Sequence, residues 1–266
     1  MINIKEIKNK LGNGCTDPYV VWCDDNKSYV VKFPGNEQGV KTLVNEFIAS
    51  NLCEYLELPV FDYNLINVTI EDYNENIKKD IKPLKGTAFG TVYNDNAYVV
   101  LNSNRIIKSV NRNDAIKILI FDILIGNYDR NNGNLMIDEK SKKIYMIDHS
   151  HIFNLGTIWD EVQLSRLINE NFEKDNLNPF NYNLMMEAIK INDEKFNKEL
   201  AEFINKVKNI DKNFIINIMD NLPDDWNVTP KEKELLVKYI YNRFIRVDEV
   251  INILNLKGGE SYEEKN

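Results

Sequence analysis

The pattern of apolar and polar positions divides the chain into a strand-rich first third and a helix-rich remainder. Tyr19-Val20-Val21-Trp22-Cys23 and Ser28-Tyr29-Val30-Val31-Lys32-Phe33 flank the polar turn Asp24-Asp25-Asn26-Lys27, which is the pattern of a β-hairpin. From about Gln38 to Glu57, Val40, Leu43, Val44, Phe47, Ile48, Leu52 and Tyr55 recur at helical spacing, and Pro59 marks the end. Residues 59–70 read as a further strand pair, 71–85 as a polar surface loop or short helix, and 86–93 as another strand. Helices are predicted over 114–125, 157–169, 183–190, 193–208, 211–221 and 230–256, the last with Thr229 as cap and Pro230 in the first turn. Two short strand-like runs, Leu135-Met136-Ile137 and Ile144-Tyr145-Met146-Ile147, interrupt them around a polar turn. Residues 257–266 read as a disordered tail.

Composition narrows the classes. A chain of 266 residues can be one large domain or two lobes and can bury a sizeable core. The net charge of −8 and a pI near 5.0 argue against general nucleic-acid binding, which needs a positive surface. Cys15, Cys23 and Cys53 are odd in number and lack metal-ligand spacing, which points to reduced thiols in a cytoplasm. The N-terminus carries no long apolar segment and no run reaches the length of a membrane span, so neither a signal peptide nor a membrane role is expected.

The chemistry concentrates in Gly126-Asn127-Tyr128-Asp129-Arg130-Asn131-Asn132-Gly133-Asn134 and in Met146-Ile147-Asp148-His149-Ser150. An apolar helix leads into a loop carrying Asp129, Asn134 lies five places on, and Asp148 ends the second strand-like run. This order matches the acidic end of a phosphotransfer site. There the first carboxylate positions or deprotonates a hydroxyl, while the amide and second carboxylate hold Mg²⁺. Taken alone, the stretch reads equally as an Asn-rich surface turn with two solvated carboxylates.

Lys32 is a charge in a run that otherwise reads as buried, so it needs a partner or a ligand unless alternation turns it to solvent. Glu46 borders the apolar stripe of the following helix and is its candidate partner. Gly12 and Gly14, with Cys15 and Thr16, form a turn whose backbone can approach phosphate oxygens. The strand holding Phe89 and Val92 is where an adenine ring would dock. The only two histidines, His149 and His151, flank Asp148. They read as supporting hydrogen-bond groups, with a metal site of Asp148 and both imidazoles as the alternative.

Ordered in this way, the chain resembles the HipA-like kinase domain family, distant relatives of protein kinases and phosphatidylinositol kinases. The resemblance runs over about residues 10–155. It is carried by Gly14-Cys15-Thr16-Asp17-Pro18, Tyr29-Val30-Val31-Lys32-Phe33, Gln38-Gly39 with Leu43-Val44-Asn45-Glu46, and Leu58-Pro59-Val60. Phe121 to Arg130, Gly133-Asn134 and Ile147-Asp148-His149 complete it. It implies an α+β, two-lobed protein-kinase-like fold. A small β-rich N-lobe with one helix would cover residues 1–93, and a larger, mostly helical C-lobe residues 94–256.

The resemblance also implies roles: Asp129 as base, Asn134 and Asp148 as Mg²⁺ ligands, Lys32 on the ATP phosphates, Glu46 orienting it, and the 12–16 turn over the phosphates. The expected activity is transfer of the ATP γ-phosphate to a protein Ser/Thr or a small-molecule hydroxyl. The alternatives are a nucleotide-binding pseudokinase that serves as an interaction module, and a ligand-free helical scaffold. Many relatives have His two places after the catalytic Asp. Here that position is Asn131, which puts the loop's internal support in question.

Overall fold

The computed structural model describes residues 1–12, 18–75, 77–168, 170–172, 179–189 and 194–254. The expected tail and the positions of Gly14, Cys15 and Thr16 lie outside them. The first part is a closed five-stranded barrel. Its strands are β1 (Ile2–Lys10), β2 (Tyr19–Cys23), β3 (Ser28–Lys32), β4 (Tyr63–Val68) and β5 (Gly86–Val92), in the order β1-β2-β3-β5-β4. Helix α1 (Lys41–Tyr55) connects β3 to β4. The β2–β3 hairpin pairs Tyr19 with Val31 and Trp22 with Ser28, as its apolar alternation predicts.

Tyr19, Val21, Cys23, Tyr29, Val31, Phe33, Ile66, Val68 and Ala88 fill the barrel. Tyr73, Ile77 and Ile81, from the polar-looking 71–85 stretch, join the same cluster. The opposite faces of β3 and β5 look toward α1 and the helical part.

Two expectations in this part need correction. The N-terminal ten residues contain a strand that the sequence pattern did not announce. β1 is bulged between Ile4 and Glu6 and again between Ile7 and Asn9, so its alternation is broken. It closes the barrel by pairing with β4 in parallel, Ile2 against Ile66. Residues 59–70 yield one strand rather than a pair. Their first half instead docks on the helical part: Pro59 O accepts from Met146 N at 2.8 Å, and Phe61 stacks on Tyr145 with ring centroids 4.4 Å apart.

Beyond β5 come β6 (Ala97–Val99), α2 (Ser103–Ile107), α3 (Asp114–Ile125), β7 (Leu135–Asp138) and β8 (Ile144–Met146). β6, β7 and β8 form a separate small antiparallel sheet. Of the helices α4 (Glu161–Leu167), α5 (Pro179–Ile189), α6 (Glu194–Lys208), α7 (Lys212–Asp220), α8 (Pro230–Phe244) and α9 (Val247–Ile253), α5, α6, α8 and α9 pack on α3, while α4 and α7 pack on α8. Ten of the twelve residues of α3 are buried, as suits a helix apolar on all sides. Gly126 ends it in the left-handed region at φ 64°. A Cβ there would come within 2.7 Å of Tyr239 Oη and 2.8 Å of Asn154 N.

The single helix expected over 230–256 breaks after Phe244. Arg243 turns inward and donates to Leu124 O and Ile123 O, each at 2.8 Å, so the last carbonyls of α3 are satisfied by α8. The helix expected from Thr157 begins at Glu161, with Asp160 accepting from Gln163 N. The four residues before it place Trp159 in the core.

Candidate active site

Lys32 faces away from the barrel interior, because its neighbours Val31 and Phe33 point into it. Its ammonium reaches across to the helical part. It donates to Glu46 Oε1 on α1, to Asp148 Oδ1 at 2.8 Å and to Ser150 Oγ at 2.7 Å. Ser150 donates to the same Asp148 oxygen through its hydroxyl, at 2.6 Å, and its backbone N–H, at 3.2 Å. The His149 imidazole lies 3.7 Å from Glu46 Oε2.

Burial alone would raise the Asp148 carboxyl, but the Lys32 ammonium and the Ser150 donors outweigh it and hold it well below the usual carboxylate range. Glu46 is lowered in the same way, with burial opposed by Lys32 and His149. Burial would depress Lys32, yet the Asp148 and Glu46 carboxylates keep it above the ordinary lysine value. All three groups are therefore ionised at neutral pH, and the cluster has two negative charges for one positive.

The Asp129 loop is held from beneath. Arg130 is buried and donates to Asp122 twice, Nε to Oδ2 and Nη2 to Oδ1, each at 2.9 Å. Its Nη1 donates to Asn134 O at 2.8 Å and Ile147 O at 2.7 Å. One guanidinium thus joins the helix before the loop, the end of the loop, and the residue before Asp148. Asn127 donates to Asp122 Oδ1 and accepts from Asp129 N. Asn131 caps the short turn at 132–134 and donates to Asp129 Oδ1 at 3.2 Å, so the loop keeps its internal support at the position in question. Asn134 Nδ2 donates to Asp129 O at 2.7 Å, which leaves the amide oxygen of Asn134 as the end able to accept or ligate. Ile147 N donates to Asn134 O, which extends the β7–β8 pairing and sets Asn134 opposite the residue before Asp148.

Helix α1 is tied to the segment after Asp148. Asn45, fully buried, donates to Ser150 O at 2.6 Å and Gly156 O at 2.8 Å, and accepts from Trp159 Nε1 at 2.9 Å. Lys41 lies over the Trp159 ring, 4.0 Å from its centroid, and pairs with Glu232 at 2.9 Å. These contacts tie the helix that carries Glu46 to the segment after Asp148 and to α8.

Of the residues singled out from sequence, Lys32, Glu46 and Asp148 meet directly, and Asp129 and Asn134 are connected to them through the hairpin. Gly12 lies at φ 57° just past β1, where Leu11 N donates to Pro18 O and closes the base of the loop. Phe89 stands opposite Lys32 in register, stacked on Tyr63. Val92 does not share that face: it packs with the barrel interior, because β5 alternates and an odd separation puts the two side chains on opposite sides. The histidines do not form a site with Asp148. His149 faces Glu46, and His151 Nδ1 lies 3.6 Å from Asp129 Oδ2. Among the described residues, no group of three or more His, Cys, Asp or Glu is arranged to hold a metal by itself.

Sequence reasoning gave no role to Asp122, Arg130, Asn45 or Ser150. For Asp122 a signal existed: an acid within the apolar run of α3 demands a buried partner.

The chain is similar to known kinases over nearly its whole length. A model of the HipA-like kinase family matches residues 4–251. The crystal structure of a Helicobacter pylori proinflammatory kinase, CtkA, aligns with a TM-score of 0.58 at 18% identity, covering 96% of this chain and 97% of that one. A Golgi casein kinase with Mn/ADP bound aligns with a TM-score of 0.55 at 13% identity, over 97% of this chain and 75% of that one. HipA from Shewanella oneidensis MR-1, in a complex with HipB and operator DNA, aligns with a TM-score of 0.50 at 14% identity, over 92% and 68%. No curated protein matches the chain at a significant level. At these identities the solved structures speak for a shared mixed α+β kinase-like fold, and the family model, spanning most of the chain, places the protein in the HipA-like kinase family.

Proposed function

We propose that this protein is an ATP- and Mg²⁺-dependent phosphotransferase acting on a hydroxyl of a protein or small molecule, with its site between an N-lobe of residues 1–93 and a C-lobe of residues 94–256. The observation that carries the reading is the Lys32 ammonium held jointly by Glu46 and Asp148 across the barrel–helix boundary. Such a lysine is positioned for anionic phosphate oxygens.

The donor set fits a divalent cation bound together with phosphates. Asn134 offers an amide oxygen. Asp148 offers its Oδ2, since Oδ1 is occupied by Lys32 and Ser150, and its side chain remains 35% exposed. Two hard oxygen ligands are too few for a self-sufficient Mg²⁺ cage but suit an ion that completes its shell with phosphate and water. Bound there, the ion would neutralise charge on the phosphates. That a structural neighbour holds Mn/ADP supports the choice of ligand class.

In this reading Lys32 binds phosphate, Glu46 orients Lys32, and Gly12 with Gly14, Cys15 and Thr16 covers the phosphates. Phe89 shares the Lys32 face of the sheet and, buried against Tyr63, would back the nucleotide from within the core. Asp129 orients the acceptor hydroxyl and takes its proton. Asn131 and Asn134 hold the Asp129 loop in shape while that happens.

Labelled ATP with Mg²⁺ tests the proposal. Wild type should transfer or hydrolyse the γ-phosphate, and Asp129→Ala should lower the rate by about 10²–10⁴. ATP–Mg²⁺ should also raise the melting temperature of wild type by mass action, and less so that of Asp148→Ala. Turnover that survives Asp129→Ala would refute its role. A melting shift without any turnover would instead mark a pseudokinase.

A further inference from the structure

We propose that His151 is a positioning residue for Asp129, a role that rests on the phosphotransferase reading above. The segment holding His151 is pinned on both sides. Asn45 takes Ser150 O and Gly156 O, while Phe153 N and Asn154 N donate to Ile125 O and Gly126 O at the end of α3. Phe153, Asn154 and Gly156 all have left-handed backbone, with φ between 58° and 64°, which coils the segment back toward the loop that starts at Gly126. The path of this segment, rather than proximity in sequence, delivers the imidazole to the carboxylate.

The ring is held around its edge. Tyr128 meets it in a T-shaped contact, with centroids 5.7 Å apart. Gly156 lies against it so closely that a Cβ would come 3.0 Å from His151 Cδ2 and 2.5 Å from Tyr128 Oη. Gln38 Nε2 stands 3.5 Å from His151 Nε2. The roles in this contact follow the ring tautomer, and we assign the ring hydrogen to Nδ1 and the acceptor role to Nε2, because that tautomer matches each ring nitrogen to its polar neighbour. Nδ1 is buried, lacks a hydrogen-bond partner, and lies 3.6 Å from Asp129 Oδ2.

Asn131 already donates to the other oxygen, Oδ1. The carboxylate therefore has an amide on one oxygen and an imidazole N–H approaching the second. A shift of a few tenths of an ångström closes the second contact, and such tightening is common when substrate completes a site. Fixing both oxygens removes rotation of the carboxylate about its Cβ–Cγ bond, which otherwise scatters the direction from which it receives the hydroxyl proton.

Because the chain has only two histidines, ring ¹⁵N spectra test the contact directly. In wild type, the ring signals lost in His151→Asn should report the Nδ1–H tautomer, and they should move in Asp129→Ala. Steady-state kinetics then tests the role. His151→Ala should lower kcat roughly 10-fold, within the ~10²-fold that misplacing a catalytic group can cost, with the KM for ATP unchanged within about twofold. His151→Asn, which keeps a donor, should recover part of the loss, and Gln38→Ala should give a smaller one. Ring signals indifferent to Asp129→Ala would overturn the proposal, as would a His151→Ala enzyme with wild-type kcat. An equal loss in His151→Asn and His151→Ala, or a loss confined to KM, would reduce His151 to packing and overturn it too. Absence of turnover in wild type with the ring contact intact would overturn the phosphotransferase reading and the positioning role with it.

Discussion

Asp122 with Arg130, and Lys32 with Glu46 and Asp148, are both buried charge clusters, but the first is saturated and the second is not. The side chains of Arg130 and Asp122 are 2% and 0% exposed, and the guanidinium reaches a carboxylate and two carbonyls within one region of the fold. The Lys32 cluster bridges two regions, carries one excess negative charge, and leaves the Asp148 side chain partly exposed. A guanidinium with fixed geometry and permanent charge suits a frame, and a lysine on a flexible stem suits a contact that must be exchanged for a ligand. The loop that presents Asp129 is built on the frame, and the lysine that would meet phosphate belongs to the exchangeable set.

The contrast should appear as a gradient of stability effects. Arg130→Met should be the most damaging, because it strands Asp122 without compensation: about 3–5 kcal/mol, or roughly 10 °C in melting temperature. A melting temperature within two or three degrees of wild type would break the comparison at its stronger end. Lys32→Met should cost less, about 1–3 kcal/mol, since water can reach Asp148 and the buried Glu46 keeps Ser150 and His149 beside it. Its larger consequence should be loss of the melting shift with ATP–Mg²⁺. Equal destabilisation by both substitutions would erase the distinction. Asn45→Ala should cost a similar 1–3 kcal/mol, because Ser150 O, Gly156 O and Trp159 Nε1 all lose their partner. Unlike Lys32→Met, it should keep nucleotide binding measurable.

The smallest effect concerns pH. Glu46 and Asp148 are held below their ordinary values in the folded state, so the unfolded chain takes up their protons first on acidification. Their stabilisation is complete above about pH 4–5 and is lost as the pH falls through the lowered values. The stability advantage of wild type over Lys32→Met should therefore hold at pH 7 and shrink below about pH 4. Urea titrations of both proteins at pH 7 and pH 3.5 check this. An advantage that grows on acidification would contradict the assigned ion pairs.

Legibility from sequence followed the same division. The β2–β3 hairpin, α1 and α3 are self-contained patterns, and α3 falls over the residues that its periodicity marks. The bulged β1, the docking of residues 59–61 on β8 and the break between α8 and α9 were not legible, because each depends on a partner distant along the chain. In the site, Lys32 is readable as a charge in a run that otherwise looks buried, and Glu46, bordering the apolar stripe of α1, as its partner. Arg130 is not: it sits among polar loop residues, and only the fold shows that its guanidinium is buried.

By itself, then, the sequence determined where carboxylates, amides and lysine fall relative to strand ends and helix ends, since period and turn chemistry are local. The tertiary structure alone decided which charges meet. It chose Asp122 over solvent for Arg130, Glu46 and Asp148 together for Lys32, and the opposite face of β5 for Val92. The physical reason is that an ion pair is worth forming in a protein interior only where the backbone has already brought both partners out of water, and that arrangement is a property of the folded chain as a whole.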